Sequence, residues 1–133
     1  MARRLILDTG ALIAFERGRA DRSLIADEDD LAIAAVTVAE LRVGIELADG
    51  AARAARRRLV LAAVTATTTV LDYTARTAAE HARLLAHVRR TGAPRGAHDL
   101  IIAAQAAEHG RVVVTPDRRA RFAELPGVRT LTL

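Results

Sequence analysis

Apolar positions along the chain fall into two rhythms, short unbroken runs and longer stretches with a helical repeat, and the two alternate. That alternation predicts an α/β domain built on a parallel sheet. Arg4–Leu7 reads as a first strand, followed by a helix over Thr9–Glu16 that Gly18 stops. Residues 31–36 are apolar throughout and predict a second strand buried on both faces. Helices are expected over 37–48 and, after Asp49-Gly50, over 51–63. The second of these carries Arg53, Arg56, Arg57 and Arg58, and the consecutive arginines spread around it. β-branched residues at 67–71 predict a third strand, and the periodic Ala78, Ala82, Leu85 and Val88 place an amphipathic helix over 74–90. Residues 91–96 break the chain, and Ala97–His109 is expected as a helix closed by Gly110. Val112–Thr115 reads as a fourth strand. A turn at Pro116-Asp117, a short helix to Glu124, a turn at Pro126-Gly127 and a fifth strand over 128–133 complete the pattern. No repeat or low-complexity linker interrupts it, so residues 1–133 predict a single domain.

Composition changes the picture in three ways. The aromatics are only Phe15, Tyr73 and Phe122, so small and aliphatic side chains must build the core. Cysteine is absent, which removes thiolate chemistry and leaves oxygen or imidazole to hold any metal. All 20 basic residues are Arg, at a net charge of +4. Arg pairs bidentately with phosphate, which suits a nucleic-acid partner, although a GC-rich genome would produce the same lysine-free chain. Asp8 cuts the first apolar run too early for a secretory signal, and no uncharged stretch reaches the roughly 20 residues of a membrane-spanning helix, the apolar 31–39 being less than half that. A soluble, cytoplasmic protein with no membrane association is the expectation.

Four acids stand out because a parallel sheet brings them together. Ligands of such sheets gather outside the carboxyl ends of the strands. Asp8 ends the first strand, and Asp117 lies just past the fourth. Glu40 is expected in the first turn of the helix leaving the second strand. Asp99 opens a helix that must run antiparallel to the fourth strand, which returns it to the same edge. Each has a structural alternative: Asp8 as an N-cap, Asp117 as a turn residue, Asp99 as a complement to the helix dipole, and Glu40 as the partner of Thr37 in a capping box. Together, however, ionised carboxylates in one pocket repel, and a divalent cation resolves that conflict. Oxygen-only ligation favours Mg²⁺ or Mn²⁺, which can activate water and stabilise a phosphodiester under attack.

The segments Leu5-Ile6-Leu7-Asp8-Thr9, Thr37-Val38-Ala39-Glu40-Leu41, His98-Asp99 through Ala104, and Val113-Val114-Thr115-Pro116-Asp117 resemble, in order and spacing, the motifs of PIN-domain ribonucleases, in particular the VapC-type toxins of bacterial toxin-antitoxin modules. The resemblance spans essentially the whole chain. It implies a three-layer PIN-like fold with a central, mostly parallel sheet flanked by helices. It also implies a metal-dependent endoribonuclease in which Asp8, Glu40, Asp99 and Asp117 hold one or two Mg²⁺ or Mn²⁺ ions while water attacks RNA, with Thr9 and Thr115 in support. A homodimer inhibited by a VapB-type antitoxin is implied as well. Three positions depart from the pattern. Gly10 stands where many relatives carry Ser or Asn, Arg118 and Arg119 follow the fourth acid where some relatives have another acid, and Phe122 lies farther behind it than in many relatives.

Arg95, Arg118 and Arg119 flank the acids in sequence and are candidates for RNA phosphate contacts, with Arg121 beside them. Their alternative is a solvated surface. His98 precedes Asp99 on a helix, so its ring is expected to point about 100° away from that carboxylate, as a surface or capping residue. His81, His87 and His109 read as structural. Receiver domains and haloacid-dehalogenase-like phosphatases also place acids at such an edge, but both need a lysine that this chain lacks. The remaining alternative is a catalytically inert PIN-like module that binds RNA or a protein.

Overall fold

The computed structural model describes residues 2–118 and 120–133. Five strands form one sheet: β1 (Arg4–Leu7), β2 (Asp30–Ala34), β3 (Thr69–Leu71), β4 (Val112–Thr115) and β5 (Arg129–Thr132). Their order is β3-β2-β1-β4-β5, and every neighbouring pair is parallel. The helices are α1 (Thr9–Glu16), α2 (Ala35–Glu46), α3 (Ala51–Thr67), α4 (Ala75–Thr91) and α5 (Ala97–His109). They cover both faces of the sheet, as parallel strands require. This is the expected α/β fold in three layers. No helix among the described residues is long and apolar enough to cross a membrane.

Alternation along the strands sorts the core into its two halves. Ile6, Ala32, Ala34 and Val113 face α4 and α5, where Leu84, Val88, Leu100 and Ile102 meet them. Leu5, Leu7, Ile33 and Val114 face the other way, onto Ala11 and Leu12 of α1, with Val38 and Leu41 of α2 and Val64 of α3 packed around them. Alanines at 32, 34, 103 and 104 are fully buried, which lets α5 approach the sheet closely.

Boundaries differ from the sequence pattern where the ladder or a side chain decides them. β2 stops at Ala34, paired with Leu71, because no strand continues beside Ala35 and Val36; both enter the first turn of α2. α3 runs past Ala63 to Thr67. The Thr65 and Thr67 hydroxyls donate back to Leu61 O at 3.0 Å and Ala63 O at 2.9 Å, so these residues extend the helix rather than start a strand. The short helix before the last strand is a single 3₁₀ turn at Phe122–Glu124. Arg121 precedes it in the left-handed region at φ 48°, and the bend drives Phe122 into the core despite its late position.

Arg111 ties the strands together at the edge opposite the acids. Its buried guanidinium donates to Leu5 O at 3.1 Å and Asp30 O at 3.0 Å, and lies 3.3 Å from the Asp30 carboxylate. Charge-assisted bonds of this kind contribute about 1.5–3 kcal/mol each, and losing the donor strands the carbonyls. Arg111→Ala is therefore expected to lower unfolding stability by at least about 2 kcal/mol in urea titrations. A loss under about 0.5 kcal/mol, the range of an ordinary surface substitution, would contradict this role.

Candidate active site

Asp8 continues β1 by one residue, its N–H donating to Val114 O at 3.1 Å, and there the chain turns into α1. Its side chain is the N-cap of that helix, accepting from the Ala11 N–H at 2.7 Å. It is 5% exposed, so the cap sits inside the protein. Across the neighbouring strand end, the Thr115 hydroxyl hydrogen-bonds to the Asp8 carboxylate and accepts from the Asp117 N–H at 3.0 Å. One hydroxyl thus couples the buried acid to the turn that carries the exposed one.

Asp99 is the third residue of α5 and half-buried, at the end of the helix that faces the carboxyl edge. Its carboxylate folds back over Gly96: a Cβ at Gly96 would lie 3.1 Å from Asp99 Oδ2. Glu40 sits in the second turn of α2, one turn later than the sequence pattern suggests. The helix begins at Ala35, with Ala34 as an N-cap that offers no side-chain bond, so the Thr37–Glu40 capping box does not form. Glu40 instead accepts from the Thr9 hydroxyl at 2.9 Å. Thr37 is fully buried, its hydroxyl 3.4 Å from that of Thr9.

Electrostatics link the four acids. Burial pushes Asp8 up from 3.8 to about 6, with bonds from Thr115 and Ala11 opposing and the charges of Asp99 and Asp117 adding to the rise. Asp99 is raised by burial first, then by Asp117 and Glu40, while His98 pulls it down. The carboxylates share one field of repulsion, as their common edge predicts. Among the described residues, however, no three His, Asp or Glu side chains are arranged to hold a metal ion. Asp8 faces its cap and Thr115, and Glu40 faces Thr9.

Other residues fall in different places from those the sequence suggests. His98 is 53% exposed, yet its Nδ1 lies 3.4 Å from Glu40 Oε1. Helical spacing turns the ring away from Asp99, but only the packing of α5 beside α2 brings it to Glu40. Arg95 is neither a free cation nor a solvated one. Its side chain is 4% exposed and pairs with Glu124 at 3.1 Å, with further bonds to Ala93 O and Arg121 O. It therefore braces the loop before α5 against the 3₁₀ turn. Arg118 is exposed and lines a small hollow with Asp117 and Arg121. Arg119 lies outside the described residues. At Gly10 a Cβ would meet Pro116 Cγ at 3.4 Å and Asp8 Oδ1 at 3.5 Å, so the side chain that many relatives carry would sit against Asp8.

A family model described as the PIN domain matches residues 5–128. The chain is 38% identical over 131 residues to Ribonuclease VapC5 of Mycobacterium tuberculosis, covering 96% of this chain and 92% of the relative. It is 25% identical over 129 residues to Ribonuclease VapC1 of Rickettsia felis, covering 97% and 96%. Among solved structures it is similar to the VapBC-5 toxin-antitoxin system of M. tuberculosis, with a TM-score of 0.83, 33% identity and 98% of both chains covered. The fold is also shared with VapBC2 of R. felis bound to a promoter DNA fragment, at a TM-score of 0.86 and 19% identity over 98% of both chains.

The buried Asp8 has a measurable consequence. A carboxyl raised from 3.8 to about 6 favours its proton in the folded state. Its contribution to stability is fully present below about pH 4 and is lost as pH rises through about 6, a cost of about 3 kcal/mol once ionised. Asn caps helices as well as Asp does. Asp8→Asn is therefore expected to raise urea-unfolding stability at pH 8 in chelator, by up to about 3 kcal/mol, and to change it little at pH 4. A variant less stable than the parent at pH 8 would contradict the burial account.

Proposed function

The chain belongs to the PIN-domain family, and from that membership we propose that it is an Mg²⁺- or Mn²⁺-dependent endoribonuclease, the toxin of a VapBC-type module, hydrolysing RNA phosphodiester bonds. One observation carries the reading: Asp8, Asp99 and Asp117 gather at the carboxyl edge of the sheet, with Glu40 beside Asp99, close enough for the neighbouring charges to push Asp8 and Asp99 up. The donor set is all oxygen, which fits a hard divalent cation. Glu40 now faces the Thr9 hydroxyl, so metal loading would require its side chain to turn toward Asp99 and Asp117. When bound, the ion supplies a more acidic water and neutralises charge on the phosphodiester oxygens.

The chain's own residues prepare that site. Asp8 is held rigidly by the Ala11 N–H and the Thr115 hydroxyl, so it gives a fixed point for assembly. Thr115 also holds the Asp117 backbone, keeping the exposed acid beside the buried one. Thr9 and His98 flank the Glu40 carboxylate and limit its orientations. Burial of Asp8 excludes water from one wall of the cluster and strengthens its field.

The toxin role extends the proposal to a cognate VapB-type antitoxin, a homodimer and a cytoplasmic setting. Related solved structures are described as VapBC toxin-antitoxin systems, which supports the antitoxin as a partner. A second reading, an inert PIN-like module that binds RNA or protein, draws on the unconverged placement of the acids.

The two readings separate in one experiment. Asp99→Asn is expected to lower RNA cleavage in Mg²⁺ or Mn²⁺ at least about 100-fold, since even partners of metal ligands cost 10–100-fold when removed. Its circular dichroism should match the parent. Cleavage that persists in the variant, or in excess chelator, contradicts the metal mechanism, and a parent that leaves RNA intact favours the inert module.

A further inference from the structure

Beside the acids the molecule holds a second concentration of charge, of opposite sign. A groove of about 770 Å³ between α1, α2 and α3 is lined by Thr9, by the acids Glu16 and Glu40, and by Arg17, Arg53, Arg56 and Arg57, so cations outnumber acids along it. Its floor is apolar, formed by Ile13, Leu41, Val60 and Leu61, and no aromatic side chain lines it. Residues 53, 56, 57, 60 and 61 share one face of α3, so the helix presents a stripe that is cationic in its first half and apolar in its second.

The arginines of that stripe differ in what they do for the fold. Arg57 is half-buried and donates to Gly44 O of α2, which gives it a structural partner. Arg53 and Arg56 are exposed, and neither has a hydrogen bond or ion pair among the described residues. Arg53 also sits in the first turn of α3, where the helix dipole disfavours a cation, and no acid or side-chain cap offsets it there. The arrangement works against local stability and in favour of an anion.

We propose that Arg53 and Arg56 bind phosphates of the RNA strand as it leaves the carboxylate cluster; this rests on the ribonuclease reading. A strand crossing four acids meets repulsion on either side of the reacting phosphate, and cations in the adjoining groove relieve it. Guanidinium forks one helical turn apart suit the backbone of a single strand. With no aromatic surface for stacking, the groove reads the backbone rather than the bases. An acidic protein segment would meet the same cations. RNA is the better fit because Thr9 and Glu40 line the groove as well as belonging to the proposed cleavage site, so a strand held at that site lies next to the arginines.

The test uses Asp99→Asn as background, so that RNA stays intact, and measures anisotropy of a labelled single-stranded RNA against salt in Mg²⁺. Adding R53Q and R56Q together is expected to weaken binding about tenfold at low salt and to flatten the slope of log affinity against log salt by about 1.4, the value for two contacts on a single strand. R53K with R56K should restore the slope. An unchanged slope overturns the proposal. So does unchanged RNA binding with weakened binding of polyglutamate, which would assign the arginines to an acidic protein partner. Failure of the ribonuclease reading is a separate result, seen when the parent protein leaves RNA uncut in Mg²⁺.

Discussion

The structure depends on an ionisable group placed where ionisation is costly. Asp8 follows the central strand, caps the start of the first helix and lies inside the protein, with two further aspartates opposing its ionisation. A carboxyl that only capped a helix would do so more cheaply at the surface, where water shares its charge. Its burial, and the hydroxyl that joins it to the turn bearing Asp117, make sense if the charge is compensated by something the chain itself does not supply.

Most of this was legible in the sequence because the parallel sheet forces it. Once the strands alternate with helices, Asp8 and Asp117 must leave from one edge, and an antiparallel α5 must return Asp99 to it. Ala97–His109 and Val112–Thr115 appear with the bounds that Gly110 and the β-branched run imply. Glu40 was harder. Thr37 and Glu40 carry the letters of a capping box, but the helix starts at Ala35, because the ladder ends at Ala34 and nothing local marks that end. The residue then joins the site through Thr9, a contact made across 31 positions.

The surface arginines show the opposite limit. Proximity in sequence makes Arg95 a candidate for phosphate, yet its guanidinium braces two loops through Glu124 and Arg121, because the loop before α5 packs over the 3₁₀ turn. Arg53 and Arg56 are well separated in sequence from Asp8, Glu40, Asp99 and Asp117, and only the packing of α3 against α2 brings them into one groove with Glu40. Charge of one sign on the sheet edge and of the other in the adjoining groove together make a surface suited to a polyanion held by a cation, an organisation that follows from tertiary packing rather than from composition.

On this reading the acids form one repelling cluster that a divalent cation would relieve. Side-chain carboxyl ¹³C NMR, titrated against pH with and without saturating Mg²⁺, tests it most directly. Asp8 is expected to titrate near pH 6 without metal and to fall below the ordinary aspartate range when Mg²⁺ is bound. An Asp8 that titrates at the ordinary value without metal, or that ignores Mg²⁺, would contradict it.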